Sequence, residues 1–206
     1  QQALAELHRG RHGKIQAASV SEWMLGDSLP GRRLGDLARA LDALTGHPGI
    51  DAGRMVLWGE SIAPARPDGD DDRVRFDAGA FPEIGEPAGG MLALMAGVLD
   101  ERVRAVVARG TFARLASVLD SPFCFVPTDW IVPGMLRSCE VGDLVAALAP
   151  RPVYLDGLID GRNRIVPDAE LEGAFPTDER SSSLHVVGSR APDADVAEWI
   201  VKQALA

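Results

Sequence analysis

Cysteine is scarce in this chain. Cys124 and Cys139 are the only two in 206 residues, too few to build a fold on disulfides. They do not form a Cys-x-x-Cys pair, and unpaired, partly buried thiols are the expectation; pairing with each other in an oxidising compartment is the alternative. Long apolar runs are also missing. No stretch of about 18 apolar residues exists, so no helix is expected to span a membrane. The start, Gln1 to Arg9, lacks the charged-then-apolar layout of a signal segment and does not open on methionine, so no compartment is inferred from it. Basic excess is absent too. The net charge of −9 argues against nucleic acid as the main partner, because binding a phosphate backbone calls for a basic face.

The densest acidic run, Asp68-Gly69-Asp70-Asp71-Asp72, lacks the spaced ligands and closing glutamate of a helix-loop-helix calcium site. It reads as a solvated loop, and no metal or cofactor is expected. The composition that remains, 46% hydrophobic and 25% charged, is that of an ordinary globular domain.

Residues 1–31 read as an irregular N-terminal segment. Gly10, Gly13 and Gly26 interrupt it, leaving room for a short helix near Ser21 to Met24. The pattern sharpens afterwards. Leu34, Leu37, Ala38, Leu41 and Leu44 recur at the spacing of one helix face, and Gly46 and Pro48 end that helix. Met55-Val56-Leu57-Trp58 is a short continuous apolar run, as expected of a strand buried on both faces of a parallel sheet.

Residues 62–87 form an insertion rich in Pro, Gly and Asp, with no periodicity. Beyond it the expected elements alternate. Helices fall over residues 88–99, 111–120, 141–148, 168–175 and 193–205; strands fall over 103–108, 152–158 and 183–187. Such alternation predicts an α/β fold, a parallel sheet of about four strands with flanking helices, over residues 32–206.

Ligands of open α/β sheets sit beyond the C-terminal ends of the strands. After the first strand comes Gly59-Glu60-Ser61-Ile62-Ala63, close to the Gly-x-Ser-x-Gly nucleophile elbow. Here the chain resembles a known family. Leu41 to Leu44, Ile50 to Ser61, Ala88-Gly89-Gly90-Met91-Leu92-Ala93-Leu94, Leu99 to Val107, and Ala149-Pro150-Arg151-Pro152-Val153-Tyr154-Leu155 to Asp160 look like successive parts of acetyl xylan esterase-like α/β-hydrolases.

That resemblance implies a carboxylic-ester hydrolase fold, with Ser61 as nucleophile and Asp160 as triad acid. It implies a small acyl-ester or carbohydrate ligand. It also implies further strands ahead of residue 32, in another chain or in a longer protein. Without them an open sheet edge is expected to favour self-association.

The pattern departs from the family in three places. The insertion separates Ser61 from the Gly-Gly helix start. Pro87 holds the serine position of a second elbow-like string, Gly85 to Gly89, and suits only a first helical turn. The loop that should carry the histidine base, Gly188-Ser189-Arg190-Ala191-Pro192, has none.

Of the four histidines, His185 inside the last strand is the nearest candidate base. His47 precedes the first strand, and His8 and His12 lie in the N-terminal segment. Arg190 cannot take a proton. Asp156 and Asp168 are weaker candidates for the acid than Asp160. Candidate ligand contacts are Glu60, Trp130 with its neighbours Cys124 to Gly134, and Arg162 and Asn163 in the run Asp160 to Arg164. Two functions follow: an active serine esterase, or a relative whose hydrolase activity is impaired or lost and which binds or scaffolds.

Overall fold

The computed structural model describes residues 14–61, 63–66, 84–171, 174–175 and 183–205. Most of the 62–87 insertion, the 68–72 acidic run, His8 and His12 lie outside the described residues.

Helix α1 covers residues 14–24, longer than the short turn expected near Ser21. Residues 14–24 contain no glycine or proline, so nothing within that stretch breaks the helix. Gly26, at φ +76°, ends it in the left-handed conformation that glycine adopts at little cost. Helix α2 (Leu29–Thr45) starts earlier than the apolar spacing suggested, because Ser28 caps it by accepting the Gly31 N–H at 3.2 Å.

Four parallel strands form one sheet in the order β1-β2-β3-β4: β1 (Met55–Glu60), β2 (Val103–Arg109), β3 (Val153–Asp156) and β4 (Leu184–Val187). The connecting helices are α3 (Ala88–Leu99), α4 (Val141–Leu148) and α5 (Asp168–Leu171), and α6 (Asp193–Leu205) follows β4. This is the α/β architecture the alternation predicted.

The two-residue period of a strand sends neighbours to opposite faces. Val106 and Ala108 of β2 therefore join α3 and α4 in the main core, where Met91, Leu94 and Leu148 are fully buried or nearly so. Val107 between them joins Tyr154, Val196 and Trp199 under α6 on the other face. Because β2 is covered on both sides, its centre, Ala105 to Ala108, is a continuous apolar run.

Helix α3 reaches the sheet at unusually short range. A Cβ on Gly59 would lie 2.0 Å from the Gly89 carbonyl oxygen, and one on Gly89 would lie 2.5 Å from that of Glu60. Helix α3 therefore docks directly on the end of β1. Pro87 sits at φ −68° just before α3, where its carbonyl accepts the Met91 N–H.

Residues 111–120 do not form the expected α-helix. Thr111 and Ala113 exchange backbone hydrogen bonds with Ile159, leaving only a 3-10 turn at Leu115–Leu119. The Glu140 carboxylate accepts the Leu115 and Ala116 N–H groups at 2.7 and 2.8 Å, satisfying donors that a helix start would leave open. The short helix expected over 168–175 is described only as Asp168–Leu171.

Candidate functional site

Ser61 follows β1 directly, at the C-terminal edge of the sheet. It is 3% exposed. Its hydroxyl donates to the Ala63 carbonyl at 3.2 Å and accepts the Glu86 N–H at 3.3 Å, so both roles of the oxygen are taken locally. Its Cβ packs against Gly110, where an added Cβ would come within 2.8 Å. A serine seated this way is not lifted out of the sheet as an elbow nucleophile is.

His185 lies on β4, at the opposite edge from β1. Three strand spacings of roughly 4.8 Å separate β4 from β1, on the order of 14 Å. Register adds to this: His185 pairs with Tyr154, Tyr154 with Val107 and Val107 with Trp58, so His185 is level with Trp58, three residues before Ser61. The imidazole is exposed and stacks on Tyr154, with ring centroids 4.7 Å apart. His185 and Ser61 are not brought within hydrogen-bond reach. His47 lies before β1, at the far end of that strand, where its Nδ1 accepts the Gly49 N–H.

Asp160 closes a turn. It accepts from the backbone N–H groups of Arg162 and Arg164 and from the Arg164 guanidinium at 2.8 Å. Asp156, the weaker candidate in the sequence, occupies the more consequential position. It ends β3, is fully buried, and faces Arg109 at the end of β2, itself fully buried, with Nε–Oδ1 2.9 Å. Hydrogen bonds to Asp156 and Asp193 hold the Arg109 guanidinium above its ordinary pKa, although burial acts against its charge.

Arg109 also bonds the Ala191 carbonyl and reaches Asp193 at 2.5 Å. Asp156 in turn accepts the Ala191 N–H at 2.9 Å. The β4–α6 loop is thus fastened to the ends of β2 and β3.

Arg190 extends that fastening to β1. A Cβ on Gly157, next after β3, would lie 3.4 Å from the Arg190 Cβ. The guanidinium ends on the Ser61 carbonyl and the Glu60 carboxylate, both at 2.9 Å. Its side chain therefore spans from the end of β3 to the end of β1. Glu60 also accepts the Trp58 indole N–H at 3.1 Å and lies 3.7 Å from Arg109, so its carboxylate belongs to this cluster.

The other candidate contacts separate. Trp130 is 6% exposed and packs edge-on to Phe112 at 4.5 Å, inside the main core. Asn163, buried and left-handed at φ 58°, donates to the Pro64 carbonyl and accepts the Arg66 N–H through its own, tying down the base of the insertion. Arg162 lines a cleft of about 310 Å³ together with Arg114, Arg164, Asp120, Asp160 and Glu170. The cleft lies between the loops after β2 and β3. Sequence reasoning overlooked Arg114, because nothing in its local pattern links it to residues 160–164; only the fold does.

Cys124 is exposed and Cys139 partly buried, and both are free thiols. Burial, then Asp143 and Glu140, pushes the Cys139 thiol above its ordinary pKa. Among the described residues, no group of three or more His, Cys, Asp or Glu could hold a metal, and no helix is long and apolar enough to cross a membrane.

The fold and edge together define the α/β class with esterase-like neighbours. The chain is similar to the crystal structure of a Bacteroides fragilis protein provisionally assigned as an acetyl xylan esterase. The two share 18% identity at a TM-score of 0.55, over 84% of this chain and 39% of that one. Two structures of glucuronoyl esterase from Solibacter usitatus are also similar, at 15% and 17% identity and TM-scores of 0.49 and 0.47; they cover 88% and 84% of this chain and 50% and 48% of those. The chain thus spans half or less of the length of these neighbours. No family model matches the sequence, and no curated protein sequence matches it.

Proposed function

We propose that this chain is an α/β-hydrolase-fold domain, similar to acetyl xylan esterases, whose ester-hydrolase activity is lost. One observation carries the reading: the side chain that reaches Ser61 from the β4–α6 loop is Arg190. A serine esterase needs a proton acceptor there, and a guanidinium stays protonated at any working pH. The burial of Ser61 and the distance to His185 support the same reading. So does Asp160, which is engaged by Arg164 and by turn N–H groups.

The remaining role is binding. Arg114, Arg162 and Arg164 alternate with carboxylates around the cleft, and such a lining suits a polar ligand such as a carbohydrate or a small acyl ester. The edge position of β1 in the described sheet suits association with further strands or with a second copy.

The test is hydrolysis of p-nitrophenyl acetate by the purified chain beside Ser61→Ala. Equal rates in both proteins are expected. A rate above buffer that disappears in the variant would overturn the proposal and establish an active serine esterase.

A further inference from the structure

The cleft between the loops after β2 and β3 is built by an extension of the sheet. Phe112 and Ile159 continue the parallel pairing beyond the strand ends, and the Ala113 N–H donates to the Ile159 carbonyl at 3.0 Å. That register sets Arg114 beside Asp160. Gly161 comes so close to the 3-10 turn that an added Cβ would lie 2.5 Å from the Val118 Cα. Backbone therefore fixes the walls, and a ligand meets a site already formed. Ala113, Ile159 and Val166, all buried, add apolar surface to the lining.

What the cleft offers a ligand is hydrogen-bond donors. A guanidinium carries five N–H groups in a planar fork. Arg114 gives only one of them to protein, to Asp120 at 3.3 Å, and that pair is 52% and 65% exposed. Arg164 directs Nε and Nη2 at one oxygen of Asp160, at 3.0 and 2.8 Å. Most donors of both side chains thus have no protein partner among the described residues. Exchanging an exposed partner such as Asp120 costs little, because water already screens the pair.

From this arrangement we infer that the cleft binds a small molecule bearing a carboxylate, an organic or sugar acid, held by Arg114 and Arg164. Two parallel N–H groups of one guanidinium match the two oxygens of a carboxylate, whereas a sugar hydroxyl meets only one. A volume of about 310 Å³ limits the ligand to roughly the size of a monosaccharide. The inference deepens the binding role proposed above and rests on that reading for the choice of the cleft. Glu170 gives it a sign. This residue lines the same cleft, and no hydrogen bond or ion pair engages its carboxylate among the described residues. A charge there opposes an anion and favours a ligand amine, so removing it strengthens the binding of an acid.

Calorimetry on the whole chain tests this with galacturonate and galactose, which share one ring and differ at C6, carboxylate against hydroxymethyl. Lactate is the third probe; whichever acid binds more tightly identifies a sugar acid or a simple organic acid as the source. The preferred acid should bind at least about tenfold more tightly than galactose. Arg114→Gln and Arg164→Gln should each weaken it by about tenfold, and Arg164→Lys should not restore it, because lysine lacks the planar fork. Raising NaCl from about 0.05 to 0.5 M should weaken it as well, and Glu170→Gln should tighten it several-fold. Thermal midpoints of these variants should stay near that of the unmodified chain, since the side chains replaced are not buried.

Galactose binding as tightly as the acids would overturn the carboxylate assignment and leave the carbohydrate reading standing. Binding by neither acid, indifference to both arginines, or weakening by Glu170→Gln would overturn it too. Loss of ester hydrolysis is read separately from p-nitrophenyl acetate, so it stands or falls apart from these outcomes.

Discussion

Two arginine–aspartate pairs sit near the end of β3, and they differ in nearly every physical respect. Arg109 and Asp156 project from adjacent strands and are fully buried. Arg164 and Asp160 lie four residues apart in one turn and are 33% and 22% exposed. The first pair was assembled by tertiary structure across 47 residues of chain; the second by local geometry. A buried pair stabilises only while both partners are present, because a lone buried charge is not solvated. The exposed pair keeps water as an alternative partner, so the Arg164 guanidinium can leave Asp160 for a ligand while Asp160 stays in its turn. The site-like cleft is therefore lined by the weaker pair, and the stronger pair is scaffolding.

The sharpest way to break this contrast is to remove one member of the buried pair. Asp156→Ala or Arg109→Ala should each cost about 3–5 kcal/mol in denaturant unfolding, enough to leave the chain unfolded if its stability is marginal. The double replacement Arg109→Met with Asp156→Leu should recover much of that loss, because no charge is then stranded. A double variant as unstable as the single ones would show that shape, and not charge, governs the position.

Next in size is Gly59→Ala. The new methyl would lie 2.0 Å from a backbone carbonyl, which cannot move as a side chain does, so α3 must shift. A loss of about 1–3 kcal/mol is expected, measured by thermal unfolding.

On the exposed side of the comparison, Arg164→Ala and Asp160→Asn should each change stability by less than about 1 kcal/mol. If the cleft binds a carbohydrate as proposed, their larger effect should be on its affinity, measured by calorimetry with an oligosaccharide panel. If Asp160→Asn instead matched Asp156→Ala in denaturant, the distinction between the two pairs would collapse.

The smallest expected effect is a pH dependence at the other end of the sheet. Hydrogen bonds from Arg102 hold the Asp100 carboxyl below its ordinary value. A depressed carboxylate contributes stability that is complete above the unfolded-state value, near 4, and is lost as pH falls through the lower folded value. Unfolding midpoints followed downward from pH 5 should fall less steeply in Arg102→Ala than in the unmodified chain.

Much of the architecture was legible in the sequence because strands and helices carry periodicity. The apolar run Ala105 to Ala108 in β2 and the spacing of Leu34, Leu37, Leu41 and Leu44 signalled their elements directly. Pro87 could be placed at a helix start from ring geometry alone. The N-terminal glycines were misleading because a glycine that breaks a helix and one that ends it look alike in sequence. Gly26 is of the second kind, and only its φ of +76° shows it. Residues 111–120 were misread because a carboxylate 24 or 25 positions away, on Glu140, satisfies their N–H groups.

The candidate site was legible only in outline. The sequence directed attention to the end of β1 and to the β4–α6 loop, and these two places do meet, through Arg190. It ranked Asp160 above Asp156 because position along the chain carries no information about burial. It retained His185 because strand order is not a local property, and that order puts the histidine and Ser61 on opposite edges. It offered Trp130 and Asn163 as ligand contacts because aromatic and amide groups serve a pocket or an interior equally well.

The sequence by itself determined the alternation of strands and helices, the elbow-like string at Ser61 and the absence of histidine from the last loop, since these are properties of neighbouring residues. Tertiary structure alone decided which carboxylate meets Arg109, how deeply Ser61 is buried and what Arg190 reaches. Those outcomes are sums over side chains brought together from distant parts of the chain, and no local pattern contains them.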